Sequence, residues 1–116
     1  MLSPNELDEF LSGRRGDVML LGFVGSALQV RFERKSESEI LAHIPESRDD
    51  VTSDFNVLAA LAHPMCGVIF SNVANEIVVQ ISKRHQFRSV VKIAMNHLGW
   101  RNEELVQWKF LETAGQ

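Results

Sequence analysis

In Leu28-Gln29-Val30-Arg31-Phe32-Glu33-Arg34 apolar and polar side chains alternate strictly from Leu28 to Glu33. Successive residues of a strand point to opposite faces, so Leu28, Val30 and Phe32 turn inward while Gln29, Arg31 and Glu33 meet water. One dry face and one wet face is the signature of an antiparallel sheet, since the crossovers of a parallel sheet cover both.

Upstream, Val18-Met19-Leu20-Leu21-Gly22-Phe23 is apolar at every position, which predicts a central strand over 18–23. Gly25-Ser26 suits a hairpin turn between these two strands. Earlier still, Ser3 and Glu6 form an S-x-x-E capping box, Pro4 occupies the first helical position and Leu2 is placed to staple on Leu7. Leu7, Phe10 and Leu11 make one stripe and Gly13 provides a left-handed stop, so the spacing predicts a helix over 4–12.

Downstream, 40–44 reads as a third meander strand ended by Pro45, although Ser36 and Glu39 also offer a cap for a short helix. After an acidic loop at 45–50, Asp50 caps a helix with the face Val51, Phe55, Leu58 and Ala62, bounded by Pro64. Gly67 opens a strand at 68–71, joined through 72–75 to a β-branched strand at 76–82. Phe87, Val90, Val91, Ala94, Met95 and Leu98 recur at helical spacing over 87–98, with Gly99 at the turn and Trp100 placed to fold back on Met95. For 105–111 the period favours a strand, because Val106, Trp108 and Phe110 then share a face opposite Gln107 and Lys109; Asn102-Glu103-Glu104 would equally start a helix.

The expected fold is therefore α+β, a mainly antiparallel sheet of five to six strands with about three helices packed on one face. Its order is α-β-β-β-α-β-β-α-β within a single domain over 1–116. Leu20, Val30, Phe32, Phe55, Leu58, Val79, Ile81, Val91 and Leu98 are the expected core. A chain of 116 residues buries about two-thirds of its unfolded surface and needs no disulfide or metal to fold. A single cysteine, Cys66, fits a reducing compartment, and the acidic start lacks the pattern of a signal peptide, so a cytoplasmic location is expected. Residues 55–75 carry no formal charge, but Asn56, His63-Pro64, Gly67, Ser71, Asn72 and Asn75 interrupt them; a soluble helix and strand is expected there, not a membrane span.

No motif names a chemistry. His63-Pro64-Met65-Cys66 has an H-x-x-C spacing without a second ligand pair, and His85 and His97 do not complete it, so neither metal nor cofactor is expected. Nothing places the Cys66 thiol beside a base, and no residue is assigned a catalytic role. Gly22-Phe23-Val24-Gly25-Ser26 leads into a strand, whereas a phosphate loop needs a helix directly after it. Arg15-Gly16-Asp17 is read as a chance tripeptide, and Asp49-Asp50 and Glu103-Glu104 as acids at helix or turn starts.

Charge is the one feature with direction. Lys83, Arg84, Arg88, Lys92 and Arg101 are unopposed by any acid between Ile77 and Asn102, while 33–54 hold seven acids against three bases. Lys83-Arg84-His85 precede a helix start, where cations oppose the helix dipole unless an anion or an acidic partner sits there. The solvated-surface reading competes with an acceptor formed by Lys83, Arg84, His85, Arg88, Lys92 and Arg101. The expected function is a small non-enzymatic module that docks to a protein partner as regulator, inhibitor, immunity protein or chaperone, with a homodimer also expected. The alternative is a nucleic-acid or phosphate-ligand binder through 83–101. Against nucleic acid stand the net charge of −3, the absence of Tyr and the assignment of Phe87 to the core. A small enzyme built around His43, His63, Cys66 or His97 comes third. In element order the chain resembles the small acidic, dimeric secretion chaperones of type III systems, from which its closing strand departs; the resemblance implies docking to a protein.

Overall fold

The structure, a computed structural model, describes residues 2–23, 29–45, 67–69, 76–99 and 106–112; Phe23, 67–69, 96–99 and Val106 are described through their backbone alone. The elements are α1 (Pro4–Leu11), β1 (Val18–Phe23), β2 (Gln29–Ser36), β3 (Glu39–Pro45), β4 (Gly67–Ile69), β5 (Glu76–Ile81), α2 (Arg84–Gly99) and β6 (Val106–Leu111). The described residues thus hold two helices, not three, in the order α-β-β-β-β-β-α-β. The helix expected over 51–62 lies outside the described residues, as do the Gly25-Ser26 turn, the 46–50 loop, the 72–75 connection and the contact between Trp100 and Met95.

All six strands join one sheet in the order β4-β5-β3-β2-β1-β6, and every paired strand is antiparallel. The register lays Phe110, Met19, Phe32, Ala42 and Val79 in one row across it. Side chains in this row belong to the face that both helices cover: Phe10 of α1 stacks on Phe87 of α2 at 5.7 Å and lies 5.9 Å from Phe110, and Phe87 meets the edge of Phe32 at 5.6 Å. Phe10, Phe32 and Phe87 are fully buried, and Met19, Leu21, Val30, Ile44, Val79, Ile81, Val90 and Val91 complete the core with them.

Alternation in β2 and β3 is as the sequence implies, with Val30, Phe32, Ile40, Ala42 and Ile44 buried. The ambiguous 40–44 stretch is a strand because it is hydrogen-bonded on both sides, to β2 and to β5, so a helix there would leave two ladders open. One core expectation is corrected. Leu20 sits on the opposite face and is only half-buried, since its neighbours Met19 and Leu21 take the interior positions of β1. Phe55, Leu58 and the Leu98 side chain lie outside the described residues.

Helix α1 is capped at both ends by its own sequence. The Glu6 N–H donates to Ser3 Oγ at 3.2 Å, and the Glu6 carboxylate takes the Ser3 hydroxyl through Oε1 at 3.3 Å and the Trp108 indole N–H through Oε2 at 3.2 Å. At its other end Gly13 adopts φ 83°, with Gly13 N–H on the Phe10 carbonyl and Arg14 N–H on the Glu9 carbonyl, a Schellman stop. Gly16, at φ 81°, is needed for a different reason: a Cβ there would lie 2.3 Å from the Leu111 carbonyl oxygen. The Asp17 N–H donates to that same carbonyl, and the Asp17 carbonyl accepts the Arg34 N–H at 2.7 Å, so the Arg15-Gly16-Asp17 tripeptide is a structural connector between α1 and the sheet.

Candidate functional site

Helix α2 begins at Arg84, three residues before the apolar stripe begins. The Lys83 carbonyl already accepts the Phe87 N–H at 3.1 Å, and the Gln86 side-chain oxygen takes the Ser82 N–H at 3.2 Å and the Ser82 hydroxyl at 3.3 Å. Gln86, at the third helical position, thereby ties the first turn back to Ser82, one residue before the position that the side chain reaches in a capping box. The consequence is electrostatic: Arg84 and His85 lie inside the first turn, not before it, and that turn contains no acid. Each cation there opposes the positive end of the helix dipole.

Lys83, Arg84, His85, Arg88 and Lys92 are all exposed, while Phe87, Val90, Val91 and Ala94 on the other side of the helix are buried. Among the described residues one carboxylate approaches this ridge. Asp8 of α1 takes Arg88 Nη2 at 2.5 Å and stands 3.9 Å from Arg84 Nη1. Lys83, His85 and Lys92 make no side-chain hydrogen bond or ion pair with any described residue. Through the contact with Asp8 the Arg88 guanidinium ties α2 to α1, and reversing its charge would place a carboxylate against Asp8. Arg101 lies outside the described residues.

A second polar constellation occupies the sheet face opposite the helices. His43 Nδ1 lies 2.6 Å from Glu76 Oε1, with the imidazole 14% exposed and its Nε2 buried with no hydrogen-bond partner among the described residues. Arg31 contacts Glu33 at 3.1 Å and lies 3.9 Å from Glu76, Lys35 contacts Glu33 at 2.7 Å, and Gln80 donates to Glu39 at 2.9 Å. The hydrogen bond from Lys35 holds the Glu33 carboxyl below the usual glutamate range against the opposing effect of its partial burial, and the same bond raises the Lys35 ammonium. Sequence reading missed the His43 and Glu76 pair. Its signal is the β3 and β5 register, in which Pro45 faces Glu76 and His43 faces Val78, and two strands more than thirty residues apart do not announce their register locally.

The pair orients an imidazole, which is half of a general-base arrangement. Of the other residues weighed for an enzyme, His63, Cys66 and the His97 side chain lie outside the described residues, and His85, weighed as a metal ligand, is exposed on α2. Among the described residues no three His, Cys, Asp or Glu side chains gather to hold a metal, and no helix is long and apolar enough to cross a membrane. An open pocket of about 510 Å³ lies where Arg15 bridges Glu9 at 2.7 Å and covers the Phe110 ring at 5.3 Å. No family model, curated protein or solved structure matches this chain.

Proposed function

We propose that this chain is a small non-enzymatic docking module that receives an acidic surface of a protein partner on the α2 ridge. The observation that carries the reading is the first turn of α2: Lys83, Arg84 and His85, followed by Arg88 and Lys92, stand exposed around an acid-free helix start, with Asp8 the single described carboxylate against them. A chain of net charge −3 that concentrates cations at one helix end has a directional field, which speeds encounter and selects partners by charge. The ridge stands on a helix whose opposite face, with Phe87 and Val91, is buried in the core. A cytoplasmic setting, which the lone Cys66 favours, belongs to the same proposal.

Nucleic acid is the weaker occupant of the ridge. Bases need exposed aromatic platforms, and Phe87, the aromatic among the described residues of the basic stretch, is fully buried. The test is capture from native lysate on immobilised protein, with and without nuclease, eluted by a salt gradient. Acidic proteins that release as salt rises and survive nuclease treatment support the proposal. Captured material that disappears with nuclease overturns it in favour of nucleic acid.

A further inference from the structure

We infer that Asp8 is a built-in competitor of the α2 ridge, its carboxylate holding the two guanidinium groups that an acidic partner would take. The inference rests on the docking reading of the ridge and names the residue that tunes it. Asp8 Oδ1 lies 2.5 Å from Arg88 Nη2 and 3.9 Å from Arg84 Nη1. Arg84 and Arg88 are one helical turn apart, so both reach the same side of α2 and converge on one oxygen. That oxygen is carried on a second helix, α1, and sits where the carboxylate of a docked partner would sit.

The contact is of a kind that a partner displaces. All three side chains are more than a third exposed, so water screens the pair and its worth is small. Helix α1 does not depend on it, because the Ser3 cap, the Gly13 stop and the stacking of Phe10 on Phe87 hold that helix in place. For the partner, Asp8 acts twice. Using Arg88 means replacing the Asp8 carboxylate, and the incoming carboxylate then stands beside the one it displaced. A single isolated acid gains little from that exchange. A dense acidic surface meets Lys83 and Lys92 at the same time, and those contacts offset the loss. Asp8 is therefore the specificity-determining residue of the ridge, and it selects partners that present several carboxylates together.

The probe is an oligoglutamate peptide, titrated at low salt against the full chain, Asp8→Asn, Arg88→Gln and the double variant. Asp8→Asn should bind the peptide about two- to fivefold more tightly than the parent, the span that exposed ion pairs cover. In the Arg88→Gln background the same substitution should bring a smaller gain, because the guanidinium it would release is gone. Thermal melts check that every chain is folded. An equal gain in both backgrounds overturns the inference, since Asp8 would then act only as one more negative charge on the surface. So does an Asp8→Asn chain that binds like the parent while Lys83→Glu and Lys92→Glu still weaken binding; the docking reading would then stand without its competitor. A peptide that binds none of these chains overturns the inference and the docking reading together.

Discussion

Asp8 on α1 grips the Arg88 guanidinium on α2 at 2.5 Å, across eighty positions of sequence, and so joins the two helices above the sheet. Both side chains are more than a third exposed, which places the pair among surface ion pairs of small worth. A double-mutant cycle with Asp8→Asn and Arg88→Gln should give a coupling of about 0.2–1 kcal/mol, fading in high salt. A coupling above roughly 2 kcal/mol would mean that the contact is shielded from water and that α1 and α2 are locked together.

Phe32 and Leu20 sit on opposite faces of the sheet, and their truncations should separate cleanly. Phe32→Ala removes a fully buried ring that meets Phe87 edge-on and should cost about 3–5 kcal/mol. Leu20→Ala acts on a half-buried side chain and should cost well under half of that. Chemical denaturation measures both. Equal losses would contradict the placement of the core.

Gly13 and Gly16 share a positive φ but not a neighbourhood. At Gly13 a Cβ would meet the Arg34 guanidinium at 3.4 Å, a side chain able to shift, so Gly13→Ala should cost about 1–2 kcal/mol for the left-handed conformation alone. At Gly16 it would strike the Leu111 carbonyl at 2.3 Å, and the joint between α1, β1 and β6 would have to open. Gly16→Ala should be the more damaging by thermal melt, and the reverse ranking would exclude the 15–17 connector as described.

Lys35 and Glu33 predict a two-sided pH dependence. Glu33 is held below its ordinary range, so its contribution is present above that range and is lost as pH falls through the depressed value. Lys35 is held above its ordinary range, so its contribution is present below that range and is lost as pH rises through the elevated value. Lys35→Met should therefore lower stability between the two limits and leave the variant and the parent converging at each end. Denaturant midpoints across pH report this, and a constant offset at every pH would show that the hydrogen bond makes no contribution.

What the sequence disclosed was local. Ser3, Glu6 and Gly13 announced α1, and strict alternation announced β2, because caps and pleats are written within a few residues. Period alone separated strand from helix in β6, where Trp108 and Phe110 do share a face. The start of α2 was misplaced because the apolar stripe begins at Phe87, whereas the helix is started by the polar Gln86 reaching back to Ser82. The tie between Asp8 and Arg88 and the pair of His43 with Glu76 required the packed topology. Both join elements far apart in the chain, so the ridge was legible as a charge run but not as one partly tethered to α1.

The proposed docking ridge is tested most directly by its basic side chains that make no ion pair with a described residue. Lys83→Glu, His85→Gln and Lys92→Glu together leave Arg84, Arg88 and the contact with Asp8 in place, so the fold should survive. The measurement is the affinity of this triple variant and of the parent for a captured acidic protein, at matched melting temperature and across salt. A loss of roughly tenfold or more at low salt that closes as salt screens the charges is the predicted result. Unchanged affinity in a normally folded triple variant would contradict the account and leave the ridge a solvated helix face.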